Sequence, residues 1–415
     1  MNLLAVIAEY NPFHQGHRWQ LEEARRRTEA THTLALMSGA VVQRGAFALA
    51  DKWTRAKAAV LGGADLVCEL PYVYAGQSAE FFASGAIKIL NATGCCDHLV
   101  FGSESGDLES LSEIAEILAL ETPAFRADLK AGLSRGLSFP KARAAALQKQ
   151  LTQPLEALLT APNNILAIEY LKALKKSQSA IAPITLRRQG AAYHADTLSD
   201  GDGFASATQL RGLLTPGNIP ETQRALAVLK KQLPYPAELL TEALAHLSPD
   251  RDISLYKTLI HRLLITPPEQ LRQLPYWEPG LEFALKALPE CCATLEDLID
   301  ALTAKHLPRS RVRRLLMALA ADFKAEALRA FQAPDFTPYL RVLAFNSRGQ
   351  EILRAIKKQE GLPILTNLHS NQTLLTPAQR RCLAWDVLTT DLFSLHCEKK
   401  YTHHRDYLQG PVRVI

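Results

Sequence analysis

The chain opens on a stretch that leaves few folds available to it. Leu3 to Ala8 is an unbroken apolar run containing Val6 and Ile7, short enough for a strand and suited to one covered on both faces. A polar turn through Asn11 and Pro12 follows, and from Arg18 to Arg27 the residues are good helix formers with no Gly or Pro. His14 and His17 therefore fall where a strand hands over to a helix, with free backbone N–H groups and the positive end of the helix dipole facing outward. Such a junction suits phosphate. Two imidazoles separated by Gln15 and Gly16 can face one ligand there, and Gly16 leaves that ligand room to approach the backbone. By spacing alone an HxxH pair is more often a capping or surface pair. The strand before it, the glycine inside it and its place near the N-terminus favour a nucleotide site.

The same alternation continues. Thr33 to Met37 reads as a second strand, Lys52 to Leu61 as a helix, Leu66 to Leu70 as a third strand, Phe81 to Leu90 as a helix and His98 to Phe101 as a fourth strand. Strand, helix, strand in succession predicts an α/β fold with a Rossmann-like parallel sheet and right-handed crossovers. Gly102 follows the fourth strand directly, where it admits a ligand at the carboxyl edge or simply makes a turn. Asp51, Lys52 and Arg55 near a helix start either point toward that edge or belong to a solvated helix face, the latter being the expectation. After a helical stretch from Asp107 to Leu159, Asn163 and Asn164 stand before a new helix as N-cap candidates. Ile181 to Leu186 supplies a further strand that closes on Arg187 and Arg188, two guanidiniums placed for phosphate or ribose oxygens.

Phe204 to Arg211, FASATQLR, is the second informative stretch. Ser206 and Thr208 would cap a helix, and Arg211 comes round about one turn later onto the same rim. Beyond Leu213 the texture changes: Thr215 to Glu221 is a Pro- and Gly-containing linker, and helical segments such as Tyr256 to Leu264 and Leu281 to Leu288 dominate the remainder. The expected division is a nucleotide-binding domain over residues 1–214 and a mainly helical region over 221–415. Within that second region Lys305, His306, Arg309, Arg311, Arg313 and Arg314 form a basic cluster, and Lys399 to Arg405 interleaves charge with Tyr401, His403 and His404. Both are patterns an RNA-binding face uses, and both are also found on solvated helix ends. At 415 residues with 47% hydrophobic and 21% charged residues, the chain is an ordinary globular protein with no apolar run of the roughly 20 residues needed to span a bilayer. A cytoplasmic protein with no membrane contact is expected. The seven cysteines include no CxxC pair and suggest neither a zinc site nor a disulfide framework.

HQGH resembles the HxGH signature of the nucleotidyltransferase superfamily, and FASATQLR is similar to its S-x-T-x-x-R element. Together with EYNPFHQGH, MSGAVVQRG, DKWTRAKAAVLGGADLVCELP, PNNILAIEYLKAL and RVLAFNSRGQEIL they resemble the bacterial tRNA(Met) cytidine acetate ligase family. The resemblance implies an ATP-dependent ligase that activates acetate as acetyl-adenylate and acetylates the wobble cytidine of elongator tRNA(Met), giving N4-acetylcytidine. It implies catalytic roles for His14, His17 and Arg211, and ATP, with Mg2+ on its phosphates, wrapped by Ile7, Ala8, Glu9, Tyr10, Asn11, Pro12, Phe13, His14, Gln15, Gly16, His17, Arg18, Trp19 and Gln20. Gly102, Asn163, Arg187 or Arg188, Ser206 and Thr208 complete the implied ATP contacts, with Asn164 an alternative to Asn163. Where the family has an acidic residue after QRG, this chain has Ala46, which removes a carboxylate without touching the nucleotide motifs. Two other readings share parts of the pattern: an adenylyltransferase acting on a small phosphorylated metabolite, and a non-catalytic RNA-binding protein on the same fold.

Overall fold

A computed structural model describes residues 1–151, 155–188, 204–214 and 223–415. The linker expected over Thr215 to Glu221 lies outside the described residues. Five strands, β1 (Leu3–Ala8), β2 (His32–Ser38), β3 (Leu66–Leu70), β4 (His98–Ser103) and β5 (Ala182–Arg187), pair in parallel in the order β5-β4-β1-β2-β3. The chain runs outward from β1 to β3 and then returns to β4 on the other side of β1. Between β1 and β4 the connections diverge, opening a crevice at the carboxyl ends of these two strands, the place where such sheets bind ligands.

The strands read as continuous apolar runs because both faces are covered. Leu3 and Ala5 of β1 join one core with Leu34, Leu36, Leu66 and Phe101, while Leu4 and Val6 join the opposite core with Ala35, Met37, Val67 and Val100. The first core continues into the helices of the second half, through Leu255, Leu259, Leu315 and Leu316. That half is mainly helical, yet it also extends the sheet: β6 (Leu340–Phe345) lies antiparallel to β3, and β7 (Ile364–Leu365) and β8 (Val412–Arg413) pair with β6. Two helices matter most for the site. Helix α1 (Gln15–Thr28) follows β1, and α2 (Lys52–Leu61) follows β2. Among the described residues no helix is long and apolar enough to cross a membrane.

Candidate nucleotide site

The turn after β1 is fixed by hydrogen bonds and ring packing. Tyr10 adopts a left-handed backbone at φ +45 and the Asn11–Pro12 peptide is cis. The Asn11 side chain accepts the backbone N–H of Leu49 at 2.7 Å, and Tyr10 and Phe13, both buried, place their rings 5.0 and 5.5 Å from that of His17. Arg55 braces this edge. Almost fully buried, it donates to the carbonyls of Ala50 at 3.0 Å, Glu9 at 2.7 Å and Ser38 at 3.1 Å, and also to that of Gly39. The carboxyl ends of β1 and β2 are thereby tied to α2 through one guanidinium. Asp51 caps α2, accepting from the N–H groups of Trp53 and Thr54 at 3.0 Å. The expected solvated face is therefore corrected: Lys52 and Arg55 are buried, because open strand-end carbonyls and the carboxylate of Glu69 are waiting for them.

His14 is the N-cap of α1, and its Nδ1 accepts the Gly16 N–H at 3.1 Å. The His14 N–H in turn donates to His17 Nδ1 at 3.3 Å. With both Nδ1 atoms accepting, the hydrogen-bond network assigns the proton of each neutral ring to Nε2, and two N–H donors remain for a ligand. Burial, with Arg188 and Arg211 adding repulsion, pushes His14 down to about 3. Burial, then His14 and Arg188, hold His17 well below the ordinary histidine value. The pair is neutral at physiological pH, so the positive charge at this edge comes from arginines and from the helix N-terminus. A Cβ at Gly16 would sit 2.9 Å from His14 Cε1. Gly16→Ala is expected to push the His14 ring out of line and weaken ATP binding at least tenfold while shifting thermal stability by about 1 kcal/mol or less. Unchanged ATP affinity by calorimetry would show that His14 does not need this alignment.

The cleft above the pair is lined by His14, Gly16, His17, Trp19, Gln20, Gly102, Leu186, Arg188, Phe204, Ala205 and Ser206. The structure thus brings together the histidine stretch, the glycine of β4, one arginine after β5 and the start of the SATQLR element. Ser206 caps the Ala207–Leu213 helix, accepting from Gln209 N–H at 3.2 Å. Arg211 donates to Thr208 Oγ1 at 2.9 Å and to the Asn11 carbonyl at 2.8 Å, joining the two motifs directly. Burial lowers the Arg211 pKa, and Arg44 and Arg251 lie close enough to lower it further, against the opposing pull of Glu9.

Other expected residues are nearby without lining the cleft. Ile7 and Ala8 end β1, Glu9 accepts the Gln43 N–H at 2.9 Å, and exposed Arg18 pairs with Glu22 at 2.8 Å. Gln15 opens α1. Thr208 is exposed and serves Arg211. Both arginines are exposed, and they diverge at the end of β5: Arg188, just past the strand, approaches Gly102, whereas Arg187 packs beside Gly106. Asn163 lies behind the wall, within 3.4 Å of the Arg188 guanidinium and donating to Glu104 Oε1 at 2.6 Å.

The asparagines are not N-caps. Ala161 holds that position with Pro162 in the first turn, and the N–H groups of Asn163 and Asn164 are capped from another element by the Glu104 carboxylate, at 3.2 and 2.8 Å. Asn164 Oδ1 returns the contact to the N–H groups of Glu104 and Ser105. Glu104, Leu186, Phe204 and Ala205 were not singled out by sequence reasoning. Phe204, which pairs with Trp19 at 6.1 Å between ring centres, was within reach as the aromatic residue opening FASATQLR.

The basic cluster is largely ion-paired within the protein. Arg309 pairs with Glu296 and Asp300, Arg313 with Glu296 at 2.9 Å, and Arg311 and His306 with Glu278 at 2.8 and 3.5 Å. Arg314 is turned inward over the Tyr276 ring and toward the Gln43 carbonyl. The loop at Gly45 packs against the backbone of Arg313 and Arg314, and φ +73 at Gly45 permits that approach. Beside this loop a cavity of about 160 Å³ is walled by Ala46, Leu255, Leu259, Leu295, Ile299, Leu316 and Met317, with Arg251, Asp252, Glu296 and Arg313 among its lining.

Comparison with known proteins agrees with this geometry. A family profile described as HIGH Nucleotidyl Transferase matches residues 1–407. The chain is 37% identical over 416 residues to a "tRNA(Met) cytidine acetate ligase" of Thermoanaerobacter sp., covering 100% of both, and 35% identical over 395 residues to one of Acetivibrio thermocellus, covering 95% of this chain and 94% of the relative. A crystal structure of Thermotoga maritima TmcAL bound with alpha-thio ATP superposes with a TM-score of 0.85 at 30% identity, over 100% of this chain and 99% of the other.

Proposed function

Because the chain belongs to the HIGH nucleotidyl transferase family and, within it, to the ATP-dependent tRNA(Met) cytidine acetate ligases, we propose that it activates acetate as acetyl-adenylate and transfers the acetyl group to the wobble cytidine of elongator tRNA(Met). The observation that carries this reading is the Arg211 bridge. It ties the Ser206–Arg211 element to the turn before the histidines, so that Ser206, with Arg188, faces the two imidazoles across one cleft, as a triphosphate requires. Adenosine lies toward Trp19, Phe204 and Gly102, and the phosphates lie over the α1 N-terminus.

In the first step an acetate oxygen attacks the α-phosphorus in line, and the bond to the bridging oxygen of pyrophosphate breaks. The chain supplies no nucleophile. Its work is positioning, and neutralising the charge that grows on pyrophosphate through Nε2–H of His14 and His17, Arg188 and Arg211. In the second step the exocyclic nitrogen of cytidine attacks the acetyl carbon, AMP leaves, and the amine proton is released. Magnesium, when bound, screens the phosphates. The nearby carboxylates of Glu9 and Glu104 already accept hydrogen bonds from Gln43, Asn163 and Asn164, so nucleotide oxygens and water are left to hold the ion.

The cavity beside Ala46 is assigned to the acceptor base. Its apolar walls suit a flat pyrimidine, and its carboxylates and guanidiniums, paired with one another as Arg251 with Asp252 and Arg313 with Glu296, would exchange those partners for the amine and the ring oxygen and nitrogen. Arg251 in its lining lies near enough to Arg211 to lower the Arg211 pKa. Ala46→Trp, a substitution from a partly exposed loop into the cavity, is expected to cut acetyl transfer to tRNA more than tenfold and leave acetate-dependent ATP–pyrophosphate exchange unchanged. Equal transfer by the variant would place the base elsewhere. The function itself is tested with labelled acetate, ATP and unmodified tRNA, omitting each in turn. Label appears in tRNA only with all components; ATP-independent labelling, or none, contradicts the reading.

A further inference from the structure

Nucleotide chemistry makes no use of a constellation near the C-terminus. The sequence placed Tyr401, His403 and His404 in an aromatic and basic run suited to RNA, but in the fold the two imidazoles turn to a protein carboxylate. Asp391, on the Pro377–Cys397 helix, is 9% exposed. The chain returns past it at residues 399–404, and there His404 takes a left-handed backbone at φ +50, which non-glycine residues seldom adopt. In an extended chain, neighbouring side chains would point apart. Here the rings stack at 3.6 Å with 24° between their planes.

The same backbone directs the His404 N–H to Asp391 Oδ1 at 2.7 Å. Oδ2 is left facing the rings, 3.6 Å from His404 Nε2 and 3.8 Å from His403 Nδ1. One ligand atom from each residue lies within 4.8 Å of both others. A tetrahedral ion bound at 2.0–2.1 Å separates its ligand atoms by about 3.4 Å, so small rotations complete such a site. Two imidazoles with one carboxylate is a zinc-type donor set, whereas magnesium and calcium call for oxygens alone. The Tyr401 hydroxyl, 2.8 Å from His403 Nδ1, gives way when an ion takes that lone pair.

We propose that Asp391, His403 and His404 bind a divalent ion of the zinc class, stapling the 399–404 turn to the Pro377–Cys397 helix. The staple sits just before two residues that reach the nucleotide fold. Arg405 stacks over Trp53 of α2 at 5.0 Å, and Asp406 accepts from Lys52 Nζ at 2.7 Å. An ion here therefore anchors the C-terminal segment on the helix whose Arg55 braces the strand ends.

Cobalt(II) provides the test, titrated into metal-free full-length protein without nucleotide, so that no triphosphate competes for the ion. One equivalent is expected to give a visible absorption band that zinc abolishes, and zinc is expected to raise the midpoint of thermal unfolding by several degrees. His403→Gln with His404→Gln, both exposed positions, should remove the band and the zinc-dependent rise while the variant still melts cooperatively. Absence of a stoichiometric band in the wild type, or its persistence in the double variant, overturns the proposal.

Discussion

His17→Ala is expected to lower acetate-dependent ATP–pyrophosphate exchange by about 10²–10³-fold, the loss found when one aligned donor to a developing oxyanion is removed, equivalent to about 3–4 kcal/mol. Affinity for tRNA should stay within about twofold. The cost in stability is smaller, because the ring caps one N–H, that of His14, a contact worth about 1 kcal/mol. The difference between these magnitudes separates catalysis from unfolding. Equal loss of exchange and tRNA binding, or a collapse of thermal stability, would mean that His17 is structural. Since burial keeps His14 at about 3 and His17 well below its ordinary value, both donate as neutral rings at neutral pH. Their protons bind more readily in the unfolded chain, so their contribution to stability is present above the unfolded value near 6.5 and is lost as pH falls toward about 3.

Lys52→Met is expected to destabilise the fold by about 3–5 kcal/mol, the usual result of removing one partner from a buried ion pair. Lys52 meets both oxygens of Glu69 at 2.8 Å and Asp406 at 2.7 Å, and Arg341 reaches the same two carboxylates at 3.5 and 2.7 Å. All four side chains are at most 4% exposed, so water cannot replace the lost ammonium. Set against a typical total stability of about 5–15 kcal/mol, the loss is severe. Its pH dependence follows from sign. Lys52 is among the groups that hold down the carboxyls of Asp406 and Asp386, so without it these take up protons more readily in the folded state, and the variant should recover stability relative to the wild type as pH falls from 8 to 5. Asp386 already shows the tendency: burial, and then Glu69, raise it to about 7. A variant within 1 kcal/mol of the wild type by chemical denaturation would show that the network contributes specificity rather than stability.

The elements that sequence reasoning located best are those whose signals are local. Leu3–Ala8, Lys52–Leu61 and Leu66–Leu70 match to the residue, because the two strands are apolar runs buried on both faces and the helix between them starts at an Asp cap and stops at a glycine. The histidine motif and SATQLR were legible for the same reason, each being a capped helix start carrying its own ligand groups. The rest depends on partners distant in the chain. β6 carries Arg341 inside an apolar run, and only its pairing with Glu69 and Asp406 explains a buried guanidinium there. The Glu104 cap on Asn163 and Asn164 joins two separate elements, which spacing cannot reveal. Likewise Arg309, Arg311 and Arg313 form a cationic run in one dimension, while Glu278, Glu296 and Asp300 neutralise it in three.

The central claim is that one triphosphate lies between the imidazole pair and the Ser206–Arg211 element. A crystal structure of this chain with a non-hydrolysable ATP analogue tests it most directly. Phosphate oxygens within hydrogen-bond distance of Nε2 of His14 or His17 and of the Arg211 or Ser206 side chain are predicted. A nucleotide seated elsewhere, or one with its phosphates turned away from these groups, would contradict the account.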